Sequence, residues 1–336
     1  MKAIVCQEPF HLAVTSRPAP MLQPGEVLVR IKRVGLCGTD YHIYGGRHPF
    51  LSYPRVMGHE LAGEIESVPE GSAFKTGQVV AINPYLACGT CLSCRRGKPN
   101  ACANISVLGV HADGGMCELL AVPERAVIDA QGLSLDEAAL LEFLAIGAHA
   151  VARSAMTSGD RVLIVGAGPI GIGTGLFARL DGAEVTLVDR RPVRLRYAKE
   201  TLGFADVIEA GDDLGELLAE RTQGEFYDVV IDATGSIPAM NEALGYLGHG
   251  GTLVFVGVSP GGLVLDDPEF HKRETTIVAS RNALSADFDR VIAALKSGKI
   301  KASELQTHSL VGEEIPTRLP ELIANADHVL KAVASF

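Results

Sequence analysis

Cysteine, histidine and glutamate occur in this chain at spacings that suit metal binding. Cys88, Cys91, Cys94 and Cys102 read Cys-x-x-Cys-x-x-Cys, with the fourth cysteine after a short basic loop. Four thiolates meet the tetrahedral preference of zinc and leave no position for substrate, which suits a structural clamp. An iron–sulfur cluster also takes four cysteines, and reduced thiols without metal are a third reading. A second set is dispersed: Cys37-Gly38-Thr39-Asp40-Tyr41-His42, Gly58-His59-Glu60, and Glu142 within Leu140-Leu141-Glu142-Phe143-Leu144. Taken singly, Cys37 reads equally as a core residue, His59 as structural and Glu142 as a surface position.

A third motif concerns phosphate. Gly166-Ala167-Gly168-Pro169-Ile170-Gly171 is G-x-G-x-x-G, directly after the apolar run Arg161–Val165 and followed by a second run ending in Asp189. In that strand–turn–helix context the first glycine permits a tight turn. The second lets a pyrophosphate approach the backbone, and the third lets helix and strand pack closely. The helix start then offers free N–H groups to the phosphates. Asp189 is placed to accept the ribose hydroxyls and repels a 2′-phosphate, favouring NAD over NADP, although Arg190 and Arg191 weaken that preference. A turn that binds nothing, and a simple strand-end Asp189, are the plain alternatives.

The elements that must hold these groups fall into two styles. Up to about residue 130 the text reads as strands and turns, with strands at Val27–Lys32, Leu61–Val68 and Gln78–Ile82. Ser134-Leu135-Asp136-Glu137 resembles a helix start. From Arg161, continuous apolar strands at 161–165, 184–189, 227–232 and 252–257 alternate with helical stretches, which indicates a parallel sheet covered on both faces. Beyond about Ser280 we expect one amphipathic helix, Phe288–Lys296, and a return of the tail to the first domain. The chain is thus expected to be α/β, with a β-rich domain over 1–144 completed by 280–336 and a doubly wound nucleotide-binding domain over 145–279.

The 336 residues carry a net charge of −10, which argues against nucleic acid as the main partner. Neither a secretory signal nor an apolar stretch of roughly 20 residues is visible, so a cytoplasmic protein without membrane partners is expected. Of seven cysteines, Cys6 and Cys117 have no evident partner and are expected to be buried and inert.

In this order, Cys-Gly-Thr-Asp, Gly-His-Glu, the clustered cysteines and Gly-Ala-Gly-Pro-Ile-Gly resemble the zinc-containing medium-chain dehydrogenase/reductase superfamily over essentially the whole chain. The sorbitol and threonine dehydrogenase branches look nearest. Closer still is the L-galactonate 5-dehydrogenase type, on Ser52–Glu60, Ile105–His111 and Asp267–Lys272. The resemblance implies a GroES-like catalytic domain plus a Rossmann domain and two zinc ions per chain. Cys37, His59 and Glu142 would hold the catalytic zinc, with Glu60 at or just behind it, and Cys88, Cys91, Cys94 and Cys102 the structural one. Phe143 departs from the Pro that many sorbitol dehydrogenases have there.

A zinc so held would acidify a substrate hydroxyl and ready the carbinol carbon to give hydride to the nicotinamide. Thr39 would take the proton, His42 would pass it outward, and Asp40 would orient the loop. Arg194 and Val256 join Gly166, Gly168, Pro169, Ile170, Gly171, Asp189 and Arg190 as expected coenzyme contacts. Arg281, with Asn282, is the first expected partner of a substrate carboxylate, as the resemblance to sorbitol dehydrogenases implies, and Arg47 and His48 are the second. The expected activity is oxidation of a secondary alcohol on a sugar acid or polyol with NAD, in a homo-oligomer, tetramer before dimer. A sorbitol-type polyol dehydrogenase or an L-threonine 3-dehydrogenase is the alternative enzyme. A catalytically inert zinc- and nucleotide-binding protein is the alternative of another class.

Overall fold

The computed structural model describes residues 1–48 and 51–336, which form two compact units, Met1–Glu142 with Leu284–Phe336, and Phe143–Ala283. In the first unit, a seven-stranded sheet is organised around the strand Glu26–Leu36. Val27, Val29 and Ile31 alternate inward from it, and Val34 to Leu36 are buried continuously. The strand expected from sequence ends at Lys32, where Lys32-Arg33 breaks the apolar text. The strand continues through a register shift between Ile31 and Arg33 in its pairing with Glu60–Ser67. Its last residues, Arg33–Leu36, also pair antiparallel with Lys331–Ser335.

Lys331–Ser335 in turn pairs in parallel with Gln306–Val311, so strands from both ends of the chain share one sheet. The tail holds two amphipathic helices rather than the one expected. Ser285–Lys296 is joined by Ile315–Ala324, which buries Ile315, Leu319 and Leu322. Pro316 and Pro320 disguised the second helix. Pro316 costs nothing in the first turn, and Pro320 forgoes a single ladder bond while burial of the apolar stripe maintains the helix. An N-terminal hairpin, Lys2–Glu8 with His11–Ser16, also lay outside the expected elements. Ser134 caps the helix Leu135–Ala139 in a capping box with Glu137, as its sequence suggests. Cys6 and Cys117 are buried free thiols.

The second unit is a six-stranded, all-parallel sheet in the spatial order Asp206–Glu209, Glu184–Asp189, Arg161–Val165, Tyr227–Asp232, Leu247–Phe255, Thr276–Ala279. Counted in sequence this is 3-2-1-4-5-6, the doubly wound arrangement in which ligands bind beyond the carboxyl ends of the strands. Leu163, Val165, Val188, Val230 and Leu253 form its core. The fifth strand starts earlier and ends sooner than expected. Val256 has left the ladder, its N–H donating to the Asp232 carbonyl at 2.9 Å. Among the described residues, no helix is long and apolar enough to cross a membrane.

Candidate metal centres and coenzyme turn

Cys37 ends the strand Glu26–Leu36 and caps the short helix Gly38–Tyr44, where its N–H donates to Asp40 Oδ2 at 2.9 Å. Asp40 is thereby spent on holding this loop and is completely buried. His59 and Glu60 open the strand Glu60–Ser67, which lies beside Glu26–Leu36 with Glu60 opposite Gly35. The Cys37 Sγ, a His59 nitrogen and a Glu60 oxygen all lie within 4.8 Å of one another. Gly35 is essential to that approach, because a Cβ there would sit 2.1 Å from Glu60 Oε2.

Glu142, second residue of the helix Leu141–Ser154, is buried and lies outside that tight trio, though close enough for its charge to act on His59. Its Oε1 accepts a hydrogen bond from the Tyr85 hydroxyl. Glu60 has a different partner. Both its oxygens accept from Lys331 Nζ, at 2.6 and 2.7 Å, and this pair is 0 % and 1 % exposed. Lys331 also donates to the Leu36 carbonyl at 3.3 Å.

Neither Tyr85 nor Lys331 was among the residues singled out from sequence. Lys331 did leave a signal: a lone cation in the apolar strand text Val329-Leu330-Lys331-Ala332-Val333-Ala334 must find a buried partner. Tyr85 left none.

The electrostatics of this pocket ask for a cation. Burial pushes the carboxyls of Asp40 and Glu142 above the usual carboxylate range. Burial alone would depress His59, but its hydrogen bond to Cys37 and the charges of Cys37, Asp40 and Glu142 hold it well above its ordinary value. Lys331 is likewise raised against the pull of burial by Glu60 and Cys37. Three buried carboxyl groups and a thiol thus crowd around one buried ammonium and the His59 imidazole, and Asp40 Oδ1 and His59 Nδ1 are buried without a hydrogen-bond partner among the described residues. Burying that much negative charge without compensation is costly. A sulfur, an imidazole and carboxylate oxygens are the donor set of an open zinc site, and the residues fit that ion.

Thr39 is half-buried two residues beyond Cys37, and His42 lies one turn further along the same helix, depressed by partial burial and by Arg47. Arg47 and His48 follow that helix. His48 is depressed by burial and by the nearby imidazoles of His111, His42 and His59. Arg281 and Asn282 belong to the second unit, where Asn282 adopts a left-handed backbone at φ 53°.

The four-cysteine loop is a tighter construction. All four sulfurs lie within 4.8 Å of one another, with Cys91–Cys94, Cys88–Cys102 and Cys91–Cys102 separations of 3.4, 3.5 and 3.8 Å. A tetrahedron with zinc–sulfur bonds of about 2.3 Å has edges of about 3.8 Å. The spacing fits one ion and is too close to enclose several irons. The N–H groups of Thr90 and Cys91 pull Cys88 down to about 5, and burial pushes Cys94 up to about 12. Backbone N–H groups pull Cys91 down as well, so the loop already favours thiolate at two of its four positions.

In the second unit, Gly166 sits at φ 104° after the first strand, and Gly168 caps the helix Pro169–Leu180. A Cβ on Gly171 would lie 1.7 Å from the Gly166 carbonyl oxygen, so only glycine allows this turn to close. Asp189 Oδ2 accepts from Ala167 N–H at 2.7 Å, and Oδ1 from Arg191 N–H at 2.9 Å, which locks the carboxylate against the turn. Arg194 Nη1 stands 3.9 Å from Asp189 Oδ2, Ile170 lies in the first helical turn, and Arg190 is exposed. Val256 follows the fifth strand at the same carboxyl-end edge.

Comparison with known proteins agrees with this anatomy. Residues 23–132 match the alcohol dehydrogenase GroES-like domain, and residues 169–297 the zinc-binding dehydrogenase domain. L-galactonate-5-dehydrogenase of Escherichia coli (strain K12) is 42 % identical over 337 residues, covering 100 % of this chain and 99 % of that protein. Sorbitol dehydrogenase of Halalkalibacterium halodurans is 31 % identical, covering 92 % of each. The crystal structure of the alcohol dehydrogenase RspB from Escherichia coli CFT073, complexed with NADH, superposes with a TM-score of 0.94 at 33 % identity, covering 100 % of this chain and 99 % of that one. The chain belongs to the zinc-type alcohol dehydrogenases of the medium-chain superfamily, oxidoreductases built from a GroES-like and a Rossmann domain.

Proposed function

We propose that the protein oxidises a secondary alcohol of a sugar acid resembling L-galactonate, with NAD as hydride acceptor. The observation that carries this reading is the 42 % identity to L-galactonate-5-dehydrogenase along the full chain. In this reading Cys37 and His59 hold a catalytic zinc with carboxylate oxygen from Glu60 and Glu142, and Cys88, Cys91, Cys94 and Cys102 hold a structural one. The catalytic ion supplies a Lewis acid that lowers the pKa of the substrate hydroxyl. The Thr39 hydroxyl accepts that proton, and His42, nearer the surface, hands it outward.

The substrate carboxylate is assigned first to the basic group after the helix Gly38–Tyr44. Support comes from the clustering of His48 with the imidazoles of His111 and His42 and from the Arg47 guanidinium beside His42. Arg281 and Asn282 are the second candidates. Gly166, Gly168, Pro169, Ile170, Gly171, Asp189, Arg190, Arg194 and Val256 are assigned to NAD, and the Asp189 carboxylate disfavours a 2′-phosphate. A cytoplasmic homotetramer completes the reading, with mass measurement in solution as its check.

The test is a panel of aldonates, polyols and L-threonine, with NAD and NADP in parallel, followed by nicotinamide absorbance. Turnover of aldonates above the other classes is expected. Turnover of polyols alone would replace the sugar acid with a sorbitol-type substrate, which the 31 % identical sorbitol dehydrogenase makes the second reading. An inert binding protein would show one zinc per chain, unaffected by Cys37→Ala, and no turnover.

A further inference from the structure

The two glutamates at the open site have partners of opposite kind. Glu60 is matched by a full positive charge, with both oxygens on Lys331. Glu142 receives one hydrogen bond from a neutral phenol, on Oε1, and its Oε2 accepts none among the described residues. An ammonium partner competes with a metal for carboxylate charge. A phenol fixes one oxygen and leaves the charge and the other oxygen available.

Tyr85 is also mounted for this task. It lies on the two-residue strand Tyr85–Leu86, paired antiparallel with Ser106–Val107, and its N–H donates to Asn83 Oδ1 at 3.0 Å. The two strands are the two ends of the segment containing Cys88 to Cys102, so the ribbon that carries the phenol closes the base of the cysteine loop. Tyr85 is half-buried, and its hydroxyl lies within reach of the charges of Cys37 and Glu60 as well as Glu142.

We propose that Tyr85 is a positioning residue: from the base of the four-cysteine loop, its hydroxyl orients the Glu142 carboxylate toward the zinc held with Cys37 and His59. The inference rests on the zinc assignment made under Proposed function. It makes the closed loop a mechanical support of the open site. Tyr85 touches neither substrate nor coenzyme in this role, and it acts only through Glu142.

The experiment titrates the purified holoenzyme with a chelator and counts zinc per chain. It compares the unaltered protein, Tyr85→Phe, Glu142→Ala and the double variant. Tyr85→Phe is expected to release one zinc at chelator concentrations about 10- to 100-fold lower, the usual cost of losing the hydrogen bond behind a metal ligand. The second zinc should stay in place and show that the cysteine loop is folded. In the Glu142→Ala background, Tyr85→Phe should add nothing, because the phenol has no other hydrogen-bond target among the described residues. An unchanged release curve for Tyr85→Phe overturns the proposal, as does a full additional loss in the double variant. Simultaneous release of both ions also overturns it, since that would mean a collapsed ribbon. A starting count of one zinc per chain overturns the zinc assignment itself, and this proposal with it.

Discussion

Cys88, Cys91, Cys94 and Cys102 come from one loop, whereas Cys37, His59, Glu60 and Glu142 come from the ends of two strands and the head of a helix. The loop draws on its own neighbourhood: N–H groups of residues 88, 91 and 104 donate to its sulfurs at 3.3 to 3.4 Å, and the Thr90 and Asn104 side chains donate to Cys88. The dispersed site needs the whole sheet, a buried lysine from the tail and a tyrosine from the loop's base. A local, closed set of like donors is built for permanence. A mixed set gathered from afar can keep an open coordination position, but it inherits every weakness of the fold that assembles it.

The sharpest break of this comparison is Cys37→Ser. Losing the open ion removes several kcal/mol of transition-state stabilisation, so turnover should fall by about 10³-fold or more. Zinc should drop to one per chain, and the thermal midpoint should fall with the loss of the cation that the buried carboxylates face. Turnover near the original rate would show that the two sites do not divide the work in this way.

Next is Lys331→Met, which strands Glu60 in a dry interior and should cost about 3–5 kcal/mol, measured by denaturant unfolding. Adding Glu60→Gln should recover much of that loss. A Lys331→Met protein as stable as the original would mean that the tail is not what holds Glu60. Gly35→Ala should follow at about 1–3 kcal/mol, because the new methyl collides with Glu60 Oε2. Turnover should fall with it while the cysteine loop keeps its zinc.

The smallest effect concerns substrate charge. His48 is held below its ordinary 6.5 by burial and by His111, His42 and His59, with Arg47 acting on His42 beside it. Because the folded state resists protonation, His48 costs stability as pH falls through 6.5 toward its folded value. A bound carboxylate reverses that resistance and draws a proton in. The KM for an aldonate should therefore fall as pH is lowered toward 6, while that for a polyol should not. His48→Gln should flatten the difference and raise aldonate KM by roughly fivefold, about 1 kcal/mol.

How readily each region could be read from sequence follows the same division. The cysteine loop and the Gly-rich turn are each contained in a short window whose spacing carries the geometry, so the gathering of the four sulfurs and the tight strand–helix turn were legible there. Cys37 and His59-Glu60 were legible as donors only through their motif company, and the tight trio they form depends on the pairing of Glu60 with Gly35. Partnerships across the chain left little trace. Nothing near Tyr85 announces that it meets Glu142, and Lys331 is conspicuous only as a cation in strand text. The parallel strands of the second unit were legible because burial on both faces makes them uniformly apolar. In the tail, Ile315–Ala324 was hidden by prolines that packing tolerates.

The contact from Lys331 to the Leu36 carbonyl joins positions 295 apart. During synthesis, residues 143–283 leave the ribosome as an uninterrupted unit well before Lys331–Ser335 exists. Translation therefore reverses the usual order, in which the N-terminal domain is finished first. The strand Glu26–Leu36 waits with one stretch of its edge unpaired, open to the wrong neighbour. Until Lys331–Ser335 emerges, that stretch of edge lacks the strand that covers it in the folded protein.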